Sequence, residues 1–398
     1  MTDPLAGIVV IAWEQAVAAP LATRHLADLG ASVVKIERPG DGDQARHYDG
    51  AVEGMSAHFV WLNRGKRSVA LDLKDARGRA VLEGLLARAD VFVRNQGPGA
   101  ASRLSLDFEQ LSPRHPSLVQ CAISGYGPAG PYRDRKAYDL LVQGEAGVMA
   151  LTGSDAHPVK AGIPVADIAA GMYAFSSILA ALYARQRDGV GATIEITMLE
   201  SLTEWVTAAA AVSMYAGREP ARMEARHSFI VPYGPYRVAD GFVNLAVQNE
   251  SQWRRLCTDV LASPDLVDDP RFRTNELRLT NRDALESLIE ASWRDVPKAS
   301  LEALLEAADV PFGDLRTLDE VIRHPQLAAR DRWAETDSPV GTLRTLLHPM
   351  NIAGLSRPRT RIPTLGEDME EVLREFGLAG ATDEAEAERS RPTGRAVP

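Results

Sequence analysis

One carboxylate is distinguished by its position in the chain. Asp167 directly precedes an apolar stretch without charges, 168–184, that has the length of a helix. A carboxylate at this point can act as an N-cap, accepting hydrogen bonds from the free N–H groups of the first turn. It can also act as a nucleophile, since a helix terminus favours the ionised form and the small neighbours of Asp167 leave room for a substrate. Asp167 is therefore predicted to be a structural cap, a nucleophile or both.

Motifs of the common nucleotide and metal sites do not occur in this sequence. The segment 14–20, which follows the first predicted strand, lacks the glycines of a dinucleotide-binding turn, and there is no Walker-type phosphate loop. The eight histidines have no metal-site spacing, and Cys121 and Cys257 form no metal or redox motif. We therefore expect neither a metal nor a permanently bound cofactor.

Composition limits the classes of partner. With 398 residues, 45% hydrophobic and 25% charged, the chain is typical of a folded globular protein, and its net charge of −10 gives no indication of nucleic-acid binding. The apolar stretch 168–184 is at the short limit for a membrane span and contains glycine and serine, so a core helix is favoured. We expect no secretory leader, no membrane anchor and reduced cysteines, hence a cytoplasmic protein.

The segments that must position Asp167 alternate between strand and helix. Strands are predicted at 7–13 and 31–37 around a helix at 20–29, which forms a βαβ unit. The alternation continues with a helix at 77–89 and with strands at 68–73, 90–95, 118–123 and 192–196. We predict an α/β fold with a Rossmann-like, doubly wound sheet.

The later part of the chain has a different pattern. A helical region is predicted at 138–215, a small β element at 228–248, helices again at 251–334 and a last β segment at 341–352. Residues 378–398 are rich in Ala, Glu, Asp, Arg and Pro, and such a composition buries too little apolar surface to fold, so we predict a disordered tail there.

A series of short strings extends along nearly the whole chain. In order they are LADLGA at 26–31, KIERPG at 35–40, NRGKRS at 63–68, LDLK at 71–74, NQGPG at 95–99, SGYG at 124–127, YDL at 138–140, PVADIAAG at 164–171, IVPYG at 230–234 and PTLGE at 363–367. Together they resemble the class III CoA-transferases, the group that includes formyl-CoA transferase and α-methylacyl-CoA racemase.

This resemblance implies that Asp167 is the catalytic nucleophile. Its carboxylate would attack a donor thioester to give a mixed anhydride, and the released CoA thiolate would convert that anhydride into an aspartyl-CoA thioester. An acceptor carboxylate would then reverse the exchange. Coenzyme A and its acyl thioesters would be substrates, with a small carboxylic acid as the other partner.

The resemblance also implies a set of residues that contact CoA. Its cationic members would bind the phosphate groups of CoA, because guanidinium and ammonium groups form charge-assisted hydrogen bonds with phosphate oxygens. The set is Ala16, Val17, Arg38, Leu71, Lys74, Asn95, Gln96, Arg103, Lys136 and Tyr138.

Three departures from the family pattern bear on the substrate. Val17 replaces the glutamine of formyl-CoA transferase, which is evidence against an oxalate-type acceptor. Tyr138 replaces the histidine of the racemases and is a poor base near neutral pH. The segment 246–252 lacks the glycine-rich loop of formyl-CoA transferase.

The stretches 14–20 and 227–233 resemble the branch that acts on dicarboxylic acids. We therefore expect succinyl-CoA as the donor and malate, citramalate, itaconate, mesaconate or glutarate as the acceptor. Two alternatives stay open: a racemase-like enzyme, and a catalytically silent acyl-CoA-binding protein in which Asp167 is only a cap.

The family fold further implies an interlocked homodimer of two-domain subunits. A large domain would comprise residues 1–224, with a linker at about 189–224, and residues 331–377. A smaller α+β domain would comprise residues 225–330.

Overall fold

A parallel six-stranded sheet is the centre of the fold. The computed structural model describes residues 3–97, 99–355 and 360–379. The strands of the sheet are β1 (Val9–Trp13), β2 (Ser32–Glu37), β3 (Lys66–Ala70), β4 (Val91–Arg94), β5 (Val119–Ser124) and β6 (Thr193–Thr197). Their order is β3-β2-β1-β4-β5-β6, and every neighbouring pair is parallel. The predicted α/β class is confirmed, and the strand order is that of a doubly wound sheet.

Helices connect these strands and extend the fold. In the first half of the chain they are α1 (Ala18–Asp28), α2 (Ala57–Asn63), α3 (Ala76–Leu86), α4 (Phe108–Leu111), α5 (Asp139–Glu145), α6 (Val148–Leu151), α7 (Val165–Asp188) and α8 (Met198–Ala216). They continue with α9 (Glu250–Arg255), α10 (Asn275–Thr280), α11 (Arg282–Trp293), α12 (Lys298–Ala307), α13 (Leu318–Ile322), α14 (Pro325–Ala329) and α15 (Met369–Glu375).

The strand order reverses direction at the centre of the sheet. The chain winds outward from β1 to β2 and β3 on one side, and from β1 to β4, β5 and β6 on the other. At such a switch point the loops leave the carboxyl ends of two adjacent strands in opposite directions, which opens a crevice where ligands bind. The segments after β1 and β4 lie at this point.

The chain divides into two compact units. The described residues of the first unit fall within Met1–Gly147, Ala161–Thr207 and Arg330–Pro398, and contain the six-stranded sheet. This unit also holds a small sheet of β10 (Trp333–Ser338), β11 (Gly341–Leu346) and β12 (Thr360–Arg361). One of its apolar cores packs α3 and α15 against the sheet through Ile11, Val34, Leu82, Phe92 and Val372.

The second unit comprises Val148–Lys160 and Ala208–Ala329. Its sheet joins β7 (Tyr233–Val238), β8 (Gly241–Ala246) and the short β9 (Phe312–Gly313). Its core contains the fully buried Trp253, Trp293 and Tyr236. These limits differ from the predicted domain 225–330, and the division into domains stays a prediction.

Helix α7 extends beyond the predicted stretch 168–184 at both ends. Among the described helices it alone has the length and apolar composition to cross a membrane, and 44% of its most apolar window is buried within the structure. Core helices of globular proteins share these properties.

The predicted tail, residues 378–398, lies mostly outside the described residues. Leu378 donates its N–H to the Leu373 carbonyl, and residues from 380 onward are not among the described residues.

Candidate active site

Asp167 lies inside the first turn of α7. The helix begins at Val165, and its N-cap residue, Pro164, provides no side-chain hydrogen bond. The cap comes instead from Asp139, whose Oδ1 accepts the Ala166 N–H at 2.9 Å. The interpretation of Asp167 as the N-cap is therefore wrong, because a residue at the third helical position is past the cap. Asp139 caps the helix, and the carboxylate of Asp167 is left for other uses.

Burial gives Asp167 unusual acid–base properties. Burial and the nearby negative charge of Asp139 raise the pKa of Asp167 to about 7, against a hydrogen bond from the Ala18 N–H that lowers it. A carboxylate with a raised pKa is more basic than an ordinary one, and it is still partly ionised at neutral pH. It therefore combines the charge of a carboxylate with increased nucleophilicity.

A close contact between α1 and α7 allows the Ala18 N–H to reach Asp167. Gly171 is one turn after Asp167, and a Cβ atom placed on it would be 2.6 Å from the Ala18 carbonyl oxygen and 3.2 Å from the Leu21 Cβ. Only glycine permits this approach without displacement of one helix. Gly171, one of the small residues that follow Asp167, is therefore needed for the packing of α1 against α7.

Ala16 and Val17 form the turn between β1 and α1. Ala16 has a φ of 62°, in the left-handed region that non-glycine residues rarely adopt. The Val17 side chain is buried against Leu21 and Leu62. A valine at this position offers no polar group where formyl-CoA transferase carries a glutamine.

Several predicted CoA-contacting residues follow the carboxyl ends of neighbouring strands. Arg38 follows β2, Leu71 and Lys74 follow β3, and Asn95 and Gln96 follow β4. Arg38 and Lys74 are exposed, and Arg38 pairs with the exposed Asp41 at 2.8 Å. Leu71 is buried in the core. The sheet thus brings these positions to one edge.

Asn95 and Gln96 already have partners within the chain. Asn95 Oδ1 accepts the Gln15 N–H at 2.9 Å, and its Nδ2 donates to the Gln15 carbonyl at 2.8 Å. Gln96 Nε2 donates to the Trp13 carbonyl at 3.1 Å. Both side chains therefore fix the segment after β1 across the switch point, a role that spacing alone does not reveal.

The remaining predicted contacts are exposed. Arg103, Lys136 and Tyr138 are open to solvent, and Tyr138 directly precedes α5. Tyr48 is half-exposed, and burial together with the charges of Asp43 and Asp167 raises its pKa to about 12. The charge of Asp167 contributes to this shift, so these two residues, far apart in sequence, lie within electrostatic range of each other.

Two basic side chains, those of Arg46 and His227, are held by contacts within the chain. Arg46 binds the Glu37 carboxylate through Nε and Nη2, at 2.8 and 2.7 Å, and stacks on Phe59. His227 accepts the Phe229 N–H and stacks on Tyr233. Within the described residues, no group of three or more His, Cys, Asp or Glu side chains is arranged to hold a metal ion.

Comparison with protein families gives a match over most of the chain. The family described as CoA-transferase family III matches residues 5–369.

Individual relatives agree with this match. The succinate–glutarate CoA-transferase of Agrobacterium fabrum is 36% identical over 388 residues, covering 94% of this chain and 96% of the relative. The acetyl-CoA:oxalate CoA-transferase of Acetobacter aceti is 34% identical, covering 95% and 97%. A crystal structure of a CAIB/BAIF family protein from Brucella suis superposes with a TM-score of 0.82 at 34% identity, covering 94% of this chain and all of that one.

Proposed function

The chain belongs to CoA-transferase family III and is an enzyme of that class, and we propose that it moves CoA from an acyl-CoA to a short dicarboxylic acid through Asp167. The observation that carries this proposal is the carboxylate itself. The Asp167 carboxylate is partly buried and receives a backbone hydrogen bond from a neighbouring helix. Asp139, not Asp167, caps the N-terminus of α7.

The proposed reaction proceeds by covalent exchange at the Asp167 carboxylate. An Asp167 oxygen attacks the thioester carbonyl carbon and the C–S bond breaks. CoA leaves as a thiolate, and the product on the enzyme is a mixed anhydride. The thiolate then attacks the Asp167 carbonyl carbon, which releases the donor carboxylate and forms an aspartyl-CoA thioester. The acceptor carboxylate attacks that thioester, which expels CoA thiolate and forms a second mixed anhydride. The thiolate then attacks the acceptor carbonyl of this anhydride, which forms acceptor-CoA and regenerates the Asp167 carboxylate.

The raised pKa supports this role. The nucleophile must be ionised to attack, and a more basic carboxylate attacks a thioester faster. An environment that excludes water serves the same reaction, because the anhydride would otherwise hydrolyse.

The relatives support a dicarboxylic acid as acceptor. Glutarate is an acid named for the Agrobacterium enzyme and oxalate for the Acetobacter enzyme. We propose succinyl-CoA as donor and an acceptor of the class of glutarate, mesaconate, itaconate, malate or citramalate. The buried, apolar Val17 favours these longer acids over oxalate.

We also propose that CoA lies along the carboxyl edge of the sheet. The exposed cations at Arg38, Lys74, Arg103 and Lys136 would bind its phosphates. Asn95 and Gln96 would contribute mainly by holding the turn after β1, since their side-chain amides have backbone partners there.

Mass spectrometry of CoA thioesters tests the proposed function. Wild type, Asp167→Asn and Asp188→Asn are incubated in D2O with succinyl-CoA, a 2-methylacyl-CoA and a set of dicarboxylic acids. Asp188 is an exposed aspartate at the other end of α7, so its variant is a matched control. We expect a new acceptor-CoA thioester from wild type and Asp188→Asn, and a loss of at least about 10³-fold in Asp167→Asn.

Other outcomes would identify the alternatives. Deuterium in the 2-methylacyl-CoA without any new thioester would replace the transferase proposal by a racemase-like one. CoA binding by wild type with no new thioester and no Asp167 adduct would indicate a silent acyl-CoA-binding protein.

Assembly and location are part of the proposal. We propose a homodimer, because large apolar side chains are exposed on α7 and α8, including Tyr183 and Trp205. We propose a cytoplasmic location, because Cys121 and Cys257 are free, buried thiols.

A further inference from the structure

The turn that leads into α1 has a backbone conformation that needs external support. Ala16, in the middle of this turn, has a φ of 62°. An L-residue with a Cβ atom avoids this region unless surrounding contacts enforce it. The next residues along the chain are Val17 and Ala18, and the Ala18 N–H is the donor that reaches Asp167.

Asp43 provides a direct contact to the strained residue. Its Oδ1 accepts the Ala16 N–H at 2.9 Å, and the same oxygen accepts the Ala45 N–H at 2.9 Å. Its Oδ2 accepts a hydrogen bond from Lys35 Nζ at 2.8 Å, and both of these side chains have no exposed surface. The carboxylate of Asp43 therefore has a single fixed orientation.

A buried, charge-balanced cluster fixes Asp43 in turn. Lys35 and Lys66 carry the positive charges, and Asp43 and Glu14 carry the negative ones. Glu14 Oε1 lies 2.7 Å from Lys66 Nζ and 3.4 Å from Lys35 Nζ, and all four side chains are fully buried. Buried charges are stable only when they are paired in this way. Because Glu14 adjoins the turn, the cluster holds the turn from its N-terminal side as well.

From this arrangement we infer that Asp43 is a positioning residue for the nucleophile. By holding Ala16 in the left-handed conformation, it fixes the direction in which the chain enters α1 and so aims the Ala18 N–H at the Asp167 carboxylate. Asp43 acts through the backbone and contacts no reacting atom. The inference rests on the proposed role of Asp167.

A purely structural role for Asp43 makes a different prediction. Asp43 also caps the short 3₁₀ helix Gln44–His47, so its loss would destabilise the protein in either case. Loss of the Asp43 charge alone would leave an excess positive charge in the buried cluster and would lower the pKa of Asp167, whereas loss of positioning raises it. The Ala18 hydrogen bond lowers the pKa of Asp167. Its loss therefore shifts the acid limb of the reaction to higher pH.

The experiment compares Asp43→Asn with Asp28→Asn in the full-length enzyme. Asp28 is the last residue of α1, at the end remote from the turn, and its side chain, 6% exposed, pairs with Arg24 and Arg64 at 3.5 and 2.9 Å. The measurement is the rate at which wild type and variants form the Asp167–CoA adduct from succinyl-CoA, by quenched-flow mass spectrometry between pH 5 and 9. Melting temperatures and CoA affinity are recorded alongside.

We expect Asp43→Asn to slow adduct formation about tenfold at pH 6.5 and to move the midpoint upward by roughly half to one pH unit. Asp28→Asn is expected to lower the melting temperature without moving the midpoint. Adding Ala16→Gly to Asp43→Asn is expected to restore part of the lost rate, because glycine adopts a positive φ without support.

The results that would overturn the inference are specific. One such result is a folded Asp43→Asn protein whose pH–rate profile for adduct formation has the wild-type midpoint. Another is a shift of the same size in Asp28→Asn. If Asp43→Asn does not fold, Ala16→Val tests the same turn, since a β-branched residue is strained at this φ; an unchanged midpoint there would count equally against it. A wild-type enzyme that forms no adduct would overturn the proposed function itself.

Discussion

Asp139 affects Asp167 in two ways that one substitution can separate. Its Oδ1 caps α7 through the Ala166 N–H, and its negative charge raises the pKa of Asp167. An asparagine retains an oxygen for the cap but removes the charge. In the proposed mechanism, Asp139 has a structural role and Asp167 is the carboxylate that reacts.

We therefore predict that Asp139→Asn shifts the acid limb of adduct formation to lower pH, by roughly half a unit. Without the neighbouring charge the Asp167 carboxylate ionises more easily, so a larger fraction is reactive at pH 6. The plateau rate above pH 8 is expected to fall several-fold, because a less basic carboxylate is a weaker nucleophile. A pH–rate profile of the adduct checks both effects, and an upward shift of the acid limb would contradict the electrostatic explanation.

Sequence reasoning identifies Asp167 as a candidate nucleophile, but it does not identify the residues that contact it or its helix. Its position before an apolar stretch, within a string that resembles a known family, is visible in one dimension. The capping carboxylate of Asp139 lies 27 residues before Ala166, whose N–H it accepts, and the Ala16–Asp43 hydrogen bond also spans 27 residues. No local pattern encodes such contacts, since they depend on which helix and turn the sheet brings together.

The contact between α1 and α7 is the element-level feature on which the site depends. At Gly171 a methyl group would collide with the Ala18 carbonyl oxygen, which belongs to the peptide next to the N–H that binds Asp167. Backbone atoms at a helix N-terminus cannot move aside as a flexible side chain can, so the helices must separate.

We predict that Gly171→Ala destabilises the fold by about 1–3 kcal/mol and slows adduct formation about tenfold or more. Gly162→Ala is the control, because a Cβ at Gly162 meets nothing within 4 Å. Thermal unfolding and the adduct assay measure the two effects. A Gly171→Ala enzyme with wild-type rate and stability would show that the close approach is dispensable.

Strands and helices are predicted well where apolar periodicity is strong. The strand predicted at 90–95 is observed as Val91–Arg94, and the strand predicted at 31–37 as Ser32–Glu37. The predicted helix start at Pro20 is late, since α1 begins at Ala18 and proline is tolerated in a first turn that needs no N–H. Strand β9 in the region predicted as helical has two residues, too few to show a period.

At the scale of the whole molecule, the exposed apolar residues of α7 and α8 are the basis for the proposed dimer. Trp205 is 51% exposed and Tyr183 is 65% exposed. Side chains of this size are unfavourable in water, and their burial by a second subunit would stabilise the assembly.

We predict that Trp205→Lys shifts the protein from dimer toward monomer in light scattering coupled to size-exclusion chromatography. Leu318→Lys, at a leucine that is 82% exposed on α13, is the matched control and should keep the wild-type mass. A wild-type protein that is monomeric at all concentrations, or equal masses for all three proteins, would remove the basis for this dimer.

The parallel sheet has a further consequence, for the order in which the molecule acquires its activity during folding. Gln15 and Asn95 are joined across the switch point although 80 residues separate them, and Asp167 comes from a still later helix. Contacts of this sequence separation form slowly, because the intervening chain must close large loops first. Recovery of adduct formation during refolding should consequently lag behind the recovery of helical circular dichroism, because the proposed nucleophile becomes reactive only when the last long-range contacts have formed.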